Sequence, residues 1–285
     1  MDNFVYIGRN YNNLFTMEKQ KGITKKRLFY DIETSFCEGH FWRPGWGVNI
    51  LPHQIIKHAQ IICISWKWEG KDEIHHLDWG VKKQCDKKLL EKFIKELDKA
   101  DEIIAHNGDR FDIKWIRTRA LFHGIEMRHS YNSIDTLKWS KKYLNLPSNK
   151  LAEICKYYNL VNKLDAGGIS TWTDIVFHKS QEALDRMVHY CDGDILSLEA
   201  VFKKLLTYTK PSMHYGVLRG GDKFSCPSCG GTHVGLKKTY TTAAGTVQHY
   251  MVCKDHDCDT YNRTYKVNNK QFMDYLQFKI VNNIK

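Results

Sequence analysis

The chain has 285 residues, of which 42% are hydrophobic and 13% aromatic, with a formal net charge of +11. This composition excludes an intrinsically disordered chain, and the length predicts one large domain or one domain with a small additional module. The longest apolar stretch, residues 61–66, is far shorter than the ~20 residues of a membrane-spanning helix. The first residues lack the basic and apolar regions of a secretory signal, so we expect a cytoplasmic protein without membrane contact.

The charge balance indicates a nucleic-acid partner, and the distribution of the cysteines indicates a bound metal. The cationic excess, 43 Lys and Arg against 32 Asp and Glu, suits a polyanionic partner such as nucleic acid, although charge alone favours it only weakly. Scattered single thiols favour a reducing compartment, in which clustered cysteines usually bind metal. Five cysteines are scattered singly and four are clustered near the end: Cys37, Cys63, Cys85, Cys155 and Cys191, then Cys226, Cys229, Cys253 and Cys258.

The elements follow from hydrophobic periodicity, taken in chain order. An irregular N-terminal arm is expected at residues 1–25. Buried strands are predicted at residues 28–32, 61–68, 73–77, 103–105 and 131–134, and helices at residues 86–99, 111–122, 151–158 and 181–206. This order predicts an α/β layered domain with a mixed sheet over residues 26–207. A glycine- and proline-containing linker is expected at 208–222, and a C-terminal module at 223–285 with strands at 234–240, 247–252 and 260–267.

The first strand ends in a pair of acidic residues. Asp31 and Glu33 are two positions apart, and alternation along a strand directs both side chains to the same side. Two close carboxylates repel unless a cation lies between them. An isolated pair of this kind is more often a solvated surface, so the signal needs support from elsewhere in the chain.

Two further clusters provide that support. Asn107 and Asp112 follow the strand at 103–105, at a strand end where ligands of α/β sheets bind, although Asp112 also suits the first turn of a helix. Tyr190 and Asp194 lie one turn apart on the strongest helix. Taken in this order, the motifs Asp31-Ile-Glu33-Thr34, Asn107 with Phe111-Asp112, and Tyr190-x3-Asp194 resemble the DEDD (DnaQ-like) 3′–5′ exonuclease superfamily.

The resemblance covers residues 27–207 and implies a ribonuclease-H-like mixed five-stranded sheet flanked by helices. It is strongest for the tyrosine (DEDDy) branch, which includes the proofreading domain of family B DNA polymerases. The trailing cysteine module is similar to that of stand-alone exonucleases encoded by bacteriophages. His189 lies five residues before Asp194, the spacing of the histidine branch, but it points about 100° away from Tyr190 around the helix. We favour Tyr190.

The resemblance also implies cofactors and roles. Asp31, Glu33, Asp112 and Asp194 would hold two Mg²⁺ or Mn²⁺ ions about 3.5–4 Å apart, and Tyr190 would orient the attacking water. The residues expected to bind substrate are Asn107, Phe111, Thr34, Trp42 and Trp46. The last two lie in an aromatic loop, residues 36–52, for which stacking on bases and packing as a small satellite core remain equal alternatives.

Other aromatic and acidic residues are assigned structural roles. Trp66 and Trp68 share one strand face and are interpreted as packing residues. We interpret Asp135 as a helix cap, Asp165 as a loop residue and Asp192 as an exposed helix residue. None of the three is expected to bind a catalytic metal.

The terminal module contains two cysteine pairs. Cys226-x2-Cys229 and Cys253-x4-Cys258 predict one structural Zn²⁺ in a small zinc ribbon, with His256 as a competing ligand in place of Cys253. Metal affinity would supply much of the folding energy of such a small module. Lys237, Lys238 and Arg263 would contact nucleic acid or remain a solvated surface.

These observations predict a metal-dependent 3′–5′ exonuclease that prefers single-stranded or frayed DNA ends. Two alternatives stay open at this point. The first is an RNA exonuclease with the same site, and the second is a non-catalytic nucleic-acid-binding adaptor. If the gene belongs to a phage, the protein acts in the cytoplasm of the host.

Overall fold

The computed structural model describes residues 25–43, 45, 47, 49–160, 167–209, 213–218 and 220–284. The chain divides into two compact units, residues 25–210 and residues 211–285. The predicted N-terminal arm lies outside the described residues except for Lys25. None of the helices in the described ranges combines the length and the apolar character that a bilayer crossing demands.

The first unit contains a central sheet, a small two-stranded sheet and the surrounding helices. In chain order its elements are β1 (Arg27–Thr34), β2 (Glu38–Gly39), β3 (Ile55–Lys57), β4 (Ile61–Trp68), β5 (Ile74–Asp78), α1 (Lys87–Leu97), β6 (Glu102–Ala105), α2 (Asp112–His123), β7 (Ser133–Asp135), α3 (Thr136–Tyr143), α4 (Leu151–Tyr157), α5 (Ile169–Val176) and α6 (Gln181–Leu206).

The central sheet is mixed, with strand order β5-β4-β1-β6-β7. Strand β1 pairs antiparallel with β4 and parallel with β6, and β6 pairs parallel with β7. Because β1 is central, its first four residues are buried, whereas Asp31, Glu33 and Thr34 near its end are half-buried. The expected mixed five-stranded α/β sheet is therefore confirmed.

Helices cover the sheet and build two buried clusters. One cluster joins β1 and β4 to α1, α2, α5 and the start of α6. The other joins Phe29 and Ile104 to α3, α4 and the second half of α6. The ring of Phe29 meets Phe202 of α6 edge-on, with the centroids 5.3 Å apart. Since side chains alternate along a strand, Asp31 and Glu33 leave β1 on the same face as Phe29.

Most of the predicted elements are present. The strand at 61–68 and the helix at 181–206 have the predicted bounds, and the ends of the other predicted elements of this unit differ by at most two residues. Helix α5 was not predicted. It contains Ile169, Thr171, Thr173, Ile175 and Val176, and β-branched residues lower helix propensity. Tertiary packing of Thr171, Ile175 and Val176, which are buried, stabilises this helix.

The second unit is small and antiparallel. Its elements are α7 (Tyr215–Leu218), β8 (Val234–Thr241), β9 (Val247–Cys253), β10 (Thr264–Asn268) and α8 (Asn269–Val281). The sheet order is β10-β9-β8. Helix α8 packs on one face, where Phe272 stacks on His249 with centroids 4.0 Å apart and Tyr275 donates to the Val234 carbonyl at 3.0 Å.

Three parts of this unit differ from the sequence prediction. The strand predicted at 260–267 begins four residues later, as β10 (Thr264–Asn268). Helix α7 lies within the stretch assigned to a linker, where buried Tyr215 donates its backbone N–H to the Pro227 carbonyl at 3.0 Å. Helix α8 lies in a stretch that carried no helix prediction. Its signal was present, because Asn268 and Gln271 form a reciprocal capping box at the start of α8.

Candidate active site and cysteine cluster

Three acidic side chains from distant parts of the sequence meet beside β1. Asp31 and Glu33 come from β1 and Asp194 from α6, and one carboxylate oxygen of each lies within 4.8 Å of the others. Asp194 is buried, whereas Asp31 and Glu33 are half-buried. The structure therefore brings together the first and the third predicted acidic motifs.

The packing of α6 places Asp194 at this position. Helix α6 crosses β1 and β4, and its Cys191 is fully buried with Sγ 3.6 Å from both the backbone carbonyl and Oδ2 of Asp31. Asp194 lies three residues further along the helix, on the same face as Cys191. The helix side that carries the core residues therefore also presents the third carboxylate.

Asp112 lies next to this group but is not part of it. Among the described residues, the group of oxygens within 4.8 Å contains only Asp31, Glu33 and Asp194. The Asp112 carboxylate is buried and accepts hydrogen bonds from its own backbone N–H and from that of Ile32. Strand β6 pairs with β1 only as far as Phe29, so the N–H of Ile32 is available to this side chain.

Burial and the charges of neighbouring carboxylates raise the pKa values of Asp31 and Asp112. Burial, together with the charges of Asp112, Glu33 and Asp194, raises the pKa of Asp31 well above its usual value. Burial raises the pKa of Asp112 to about 7, and the charge of Asp135 adds to the effect. The Oδ1 atom of Asp112 is buried without a hydrogen bond among the described residues. A cation would relieve both penalties.

The turn after β6 is held in a fixed conformation. Asn107 has a left-handed backbone, with φ of 70°, and its N–H donates to Asp135 Oδ1 at 2.9 Å. A side chain at Gly108 would bring a Cβ within 2.5 Å of the Ala105 Cβ. Beyond the turn, Phe111 is 38% exposed and lies edge-on to Trp115. The two predicted substrate residues of this motif, Asn107 and Phe111, therefore lie at the carboxyl end of β6.

Tyr190 and His189 occupy different environments on α6. Tyr190 is half-buried one turn before Asp194, whereas His189 is exposed. Among the described residues, His189 is not within the acidic group. Of the two side chains, Tyr190 is the less exposed.

A small pocket opens at the end of β1. Its volume is about 340 Å³, and it is lined by Thr34, Ser35, Phe36, Gly168, Ile169 and Trp172. The indole Nε1 of Trp172 donates to the Thr34 carbonyl at 2.9 Å. Trp172 and Ile169 were not predicted as site residues, because both lie in the first half of the unpredicted helix α5. Thr34, a predicted substrate residue, lies at this pocket.

The aromatic loop is largely exposed. Trp42 is 99% and Phe41 55% exposed, so neither side chain forms a satellite core. Trp46 lies outside the described residues. Trp66 is buried and Trp68 packs against the same core, which confirms both as packing residues.

The other acidic residues have structural partners. Asp135 caps α3 by accepting from the backbone N–H of Leu137 at 3.0 Å, which confirms the predicted cap. The prediction that Asp192 is an exposed helix residue is wrong. It is half-buried and accepts from Ser65 Oγ at 2.6 Å and pairs with His76 Nδ1 at 3.1 Å, because α6 packs against β4 and β5. Asp165 lies outside the described residues.

In the second unit, the four clustered cysteines converge. The Sγ atoms of Cys226, Cys229, Cys253 and Cys258 lie within 4.8 Å of one another, and all four side chains are buried. Backbone N–H groups donate to three of these sulfurs at 3.3–3.4 Å, from Ser228, Gly231 and Thr260. His256 instead lies against the ring of Tyr261. The structure supports Cys253 over His256, in a donor set compatible with Zn²⁺.

The sequence of the first unit matches a known protein family. Residues 56–206 match the sequence model of the RNase_H superfamily. The chain belongs to the RNase_H superfamily. The matched range includes α2 and α6, with Asp112 and Asp194, and begins after β1, which carries Asp31 and Glu33.

Two polymerases are similar to parts of this RNase_H superfamily chain. A DNA polymerase III PolC-type from Ureaplasma parvum serovar 3 is 38% identical over 123 residues, which span 43% of this chain and 7% of that protein. A family B DNA polymerase from Pyrobaculum calidifontis superimposes with a TM-score of 0.50 at 14% identity, over 65% of this chain and 25% of that one. The structural likeness supports the fold alone.

Proposed function

We propose that the chain is a divalent-metal-dependent nuclease that removes nucleotides one at a time from the 3′ ends of DNA. The observation that carries this proposal is the meeting of Asp31, Glu33 and Asp194 within 4.8 Å, from positions 161 or more residues apart for β1 and α6. The resemblance of the motifs to the DEDDy exonucleases supports the 3′–5′ direction, and the similarity to a PolC-type DNA polymerase supports DNA as the substrate.

The donor set fits a hard cation. All the converging atoms are carboxylate oxygens, which favour Mg²⁺ or Mn²⁺ over zinc. Asp31, Glu33 and Asp194 would hold one ion, and Asp31 with Asp112 would hold a second. Ions bound there would supply Lewis-acid stabilisation of the charge that develops on phosphate and on the leaving oxygen.

Side chains of this chain position the reactants. The hydroxyl of Tyr190, one turn before Asp194, would hold the attacking water in line with the phosphate. Phe111, exposed beside the turn of Asn107, would stack on a base, and Asn107 would fix the sugar or base next to it. The apolar pocket between Thr34 and Trp172, called the terminal pocket, would receive the terminal base.

A groove beside the Asn107 turn would hold the nucleotides that precede the 3′ end of the nucleic-acid strand. Its volume is about 620 Å³, and its lining includes His106, Asn107, Lys141 and Lys150. Two lysines next to the Asn107 turn provide positive charge for phosphates approaching the carboxylates. The aromatic lining of the terminal pocket favours unpaired bases, which stack on exposed rings. We therefore propose single-stranded or frayed ends as the preferred substrate.

The direct test follows a strand labelled at its 5′ end during incubation with Mg²⁺ or Mn²⁺. The proposal predicts a ladder that shortens stepwise, and no shortening when the terminal 3′ linkage is a phosphorothioate that resists hydrolysis. Discrete internal cuts would instead show an endonuclease. A matched RNA strand in the same assay decides between DNA and RNA, and binding without hydrolysis of either would support the adaptor.

Two neighbouring substitutions test the role of Tyr190. Tyr190→Phe removes only the hydroxyl and is expected to lower kcat roughly a hundredfold, a usual contribution for a group that handles a reacting proton or water. His189→Ala changes an exposed side chain and is expected to leave kcat within about twofold. The reverse pattern would assign the chain to the histidine branch.

A further inference from the structure

The outer face of the second unit's sheet carries a row of cationic and aromatic side chains. Lys238 of β8 lies directly opposite Tyr250 of β9, and Tyr250 lies opposite Lys266 of β10. Tyr240 lies beside this row, with its ring centroid 5.5 Å from that of Tyr250. These four residues, Lys238, Tyr240, Tyr250 and Lys266, are called the Lys-Tyr face.

A β-bulge creates this face. The register between β8 and β9 shifts between Leu236 and Lys238, so Leu236 pairs with Met251 and Lys238 pairs with Tyr250. In a regular strand, residues 236 and 238 would point to the same side. The extra residue, Lys237, turns Lys238 and Tyr240 away from buried Met251 and onto the side of Tyr250, as bulges commonly redirect side chains.

Among the described residues of this unit, no helix or strand packs on the Lys-Tyr face. Helix α8 packs on the opposite face, through Phe272 against His249 and through Tyr275. Lys238 and Lys266 are exposed, and Tyr240 and Tyr250 are half-buried. The Nζ atoms of Lys238 and Lys266 lie 5.0 and 5.4 Å from the centre of the Tyr250 ring, so the cations flank the ring.

The charge of the three-stranded sheet indicates the kind of partner that it binds. The three strands contain Lys237, Lys238 and Lys266 but no Asp or Glu. Residues 225–285 as a whole hold eight Lys and Arg against four Asp and Glu. Three of those acids, Asp255, Asp257 and Asp259, lie in the loop after β9 instead of on the strands. An exposed face with cations and no anions is complementary to a polyanion.

We propose that the Lys-Tyr face binds single-stranded nucleic acid, with bases stacked on Tyr240 and Tyr250 and phosphates contacted by Lys238 and Lys266. Rings that accept any base, flanked by cations, are the combination by which proteins hold single strands without sequence preference. The site lies outside the carboxylate group, so it would hold substrate or product independently of hydrolysis.

The test measures the affinity of the full chain for fluorescein-labelled dT and rU oligonucleotides as a function of salt. The double substitution Lys238→Ala with Lys266→Ala is expected to reduce the slope of log K against log salt by roughly 1.4, since each phosphate contact to a single strand contributes about 0.7. The matched control, Lys270→Ala with Lys279→Ala, removes the same charge from α8 on the other side of the sheet. Equal losses in both pairs would overturn the proposal.

Stacking is tested separately. Tyr240→Ala with Tyr250→Ala is expected to weaken binding by roughly tenfold or more, whereas Tyr240→Phe with Tyr250→Phe keeps both rings and the affinity within about threefold. Because the Phe pair preserves the packing, comparison of the two pairs holds even if the Ala pair lowers stability. Unchanged affinity in the Ala pair, or equal affinity for a duplex of the same length, would contradict stacking.

The outcome is independent of the proposed nuclease function. A chain that binds strands through Lys238 and Lys266 but degrades none would support this face and reject the nuclease. A chain that degrades strands but binds them equally well after the Lys-Tyr substitutions would support the nuclease and reject this face. The dT and rU arms decide whether the strand is DNA or RNA.

Discussion

The two clusters of metal-type ligands differ in how they relate to the fold. Asp31 and Glu33 are separated from Asp194 by more than half of the chain, whereas all four cysteines fall between residues 226 and 258. The carboxylates lie at the edge of large buried clusters built from other residues. The cysteines are themselves part of the core of their unit, with Phe224, Met251 and Tyr275 among the other members.

This difference predicts opposite consequences of losing the metal. Without a cation, the neighbouring carboxylates repel one another. A cation bound there would therefore stabilise a fold that other residues already build. The cysteine unit buries few other apolar residues among those described, so a cation there would supply the folding energy. Oxygen ligands would then serve reaction and sulfur ligands would serve structure.

The largest expected effect is the loss of the cysteine cluster. Cys226→Ser removes one of four converging sulfurs. We expect this variant to bind no Zn²⁺ and its second unit to unfold, because zinc binding contributes about 10–16 kcal/mol in small zinc modules. Zinc content and limited proteolysis measure this. Cys85→Ser changes an exposed cysteine of the first unit and is the control. Retained zinc and protease resistance in Cys226→Ser would reject a structural metal.

The next effect is on hydrolysis. Asp194→Asn keeps the shape of the side chain and removes its charge, and we expect the rate to fall at least roughly a thousandfold, equivalent to about 4 kcal/mol of transition-state stabilisation. Asp185→Asn is the matched control. Asp185 is nine residues earlier on α6, which places it on the opposite face of the helix, and it is exposed. Equal activity of the two variants would show that Asp194 is not part of the site.

The third prediction concerns the pH dependence of stability. In the folded chain the pKa of Asp31 lies well above the ordinary value of 3.8. The pKa of Asp112 is raised from the same ordinary value to about 7. Between about pH 4 and 7 the folded chain therefore holds protons that the unfolded chain has released. The unfolding free energy of the metal-free chain should fall as the pH rises through this range. Added Mg²⁺ should raise the Tm more at pH 8 than at pH 5.

Asp112→Asn separates this electrostatic cost from packing. The neutral side chain should raise the Tm of the metal-free chain at pH 8 by several degrees and reduce the gain from Mg²⁺, while it also lowers hydrolysis. Differential scanning calorimetry measures the Tm. A lower Tm in Asp112→Asn at pH 8, without metal, would show that Asp112 mainly stabilises β1 through Ile32.

The smallest expected effect is at the terminal pocket. Trp172→Phe removes the donor to the Thr34 carbonyl, and we expect a loss of about 1 kcal/mol of stability, the usual net value of one hydrogen bond. It should raise KM more than it lowers kcat, because the pocket holds the substrate and not the reacting atoms. Trp139→Phe, in the other core cluster, tests for a general effect of removing an indole. An unchanged KM in Trp172→Phe would remove the pocket from the substrate path.

Hydrophobic periodicity was sufficient to predict most of the first unit. Strand β4 and helix α6 have the predicted bounds because long periodic segments dominate their own local structure. Helix α5 was missed since its β-branched residues favour strands, and only packing makes it helical. Trp172, and with it the terminal pocket, was missed for the same reason.

The site was predictable in its residue types but not in its geometry. The spacing of Asp31 and Glu33 and the one-turn spacing of Tyr190 and Asp194 follow from strand and helix periods. That Asp112 accepts from the backbone of Ile32 depends on β6 ending its pairing with β1 at Phe29. The contact of Asp192 with Ser65 likewise depends on how α6 crosses β4, which no local pattern encodes.

The most direct test of the carboxylate site is calorimetric titration of Mn²⁺ into the full chain and into its Asp194→Asn and Asp185→Asn variants. We expect the wild-type chain and Asp185→Asn to bind Mn²⁺ with the same affinity and Asp194→Asn to lose this binding. Binding of equal strength in Asp194→Asn would show that the three converging carboxylates do not form a cation site.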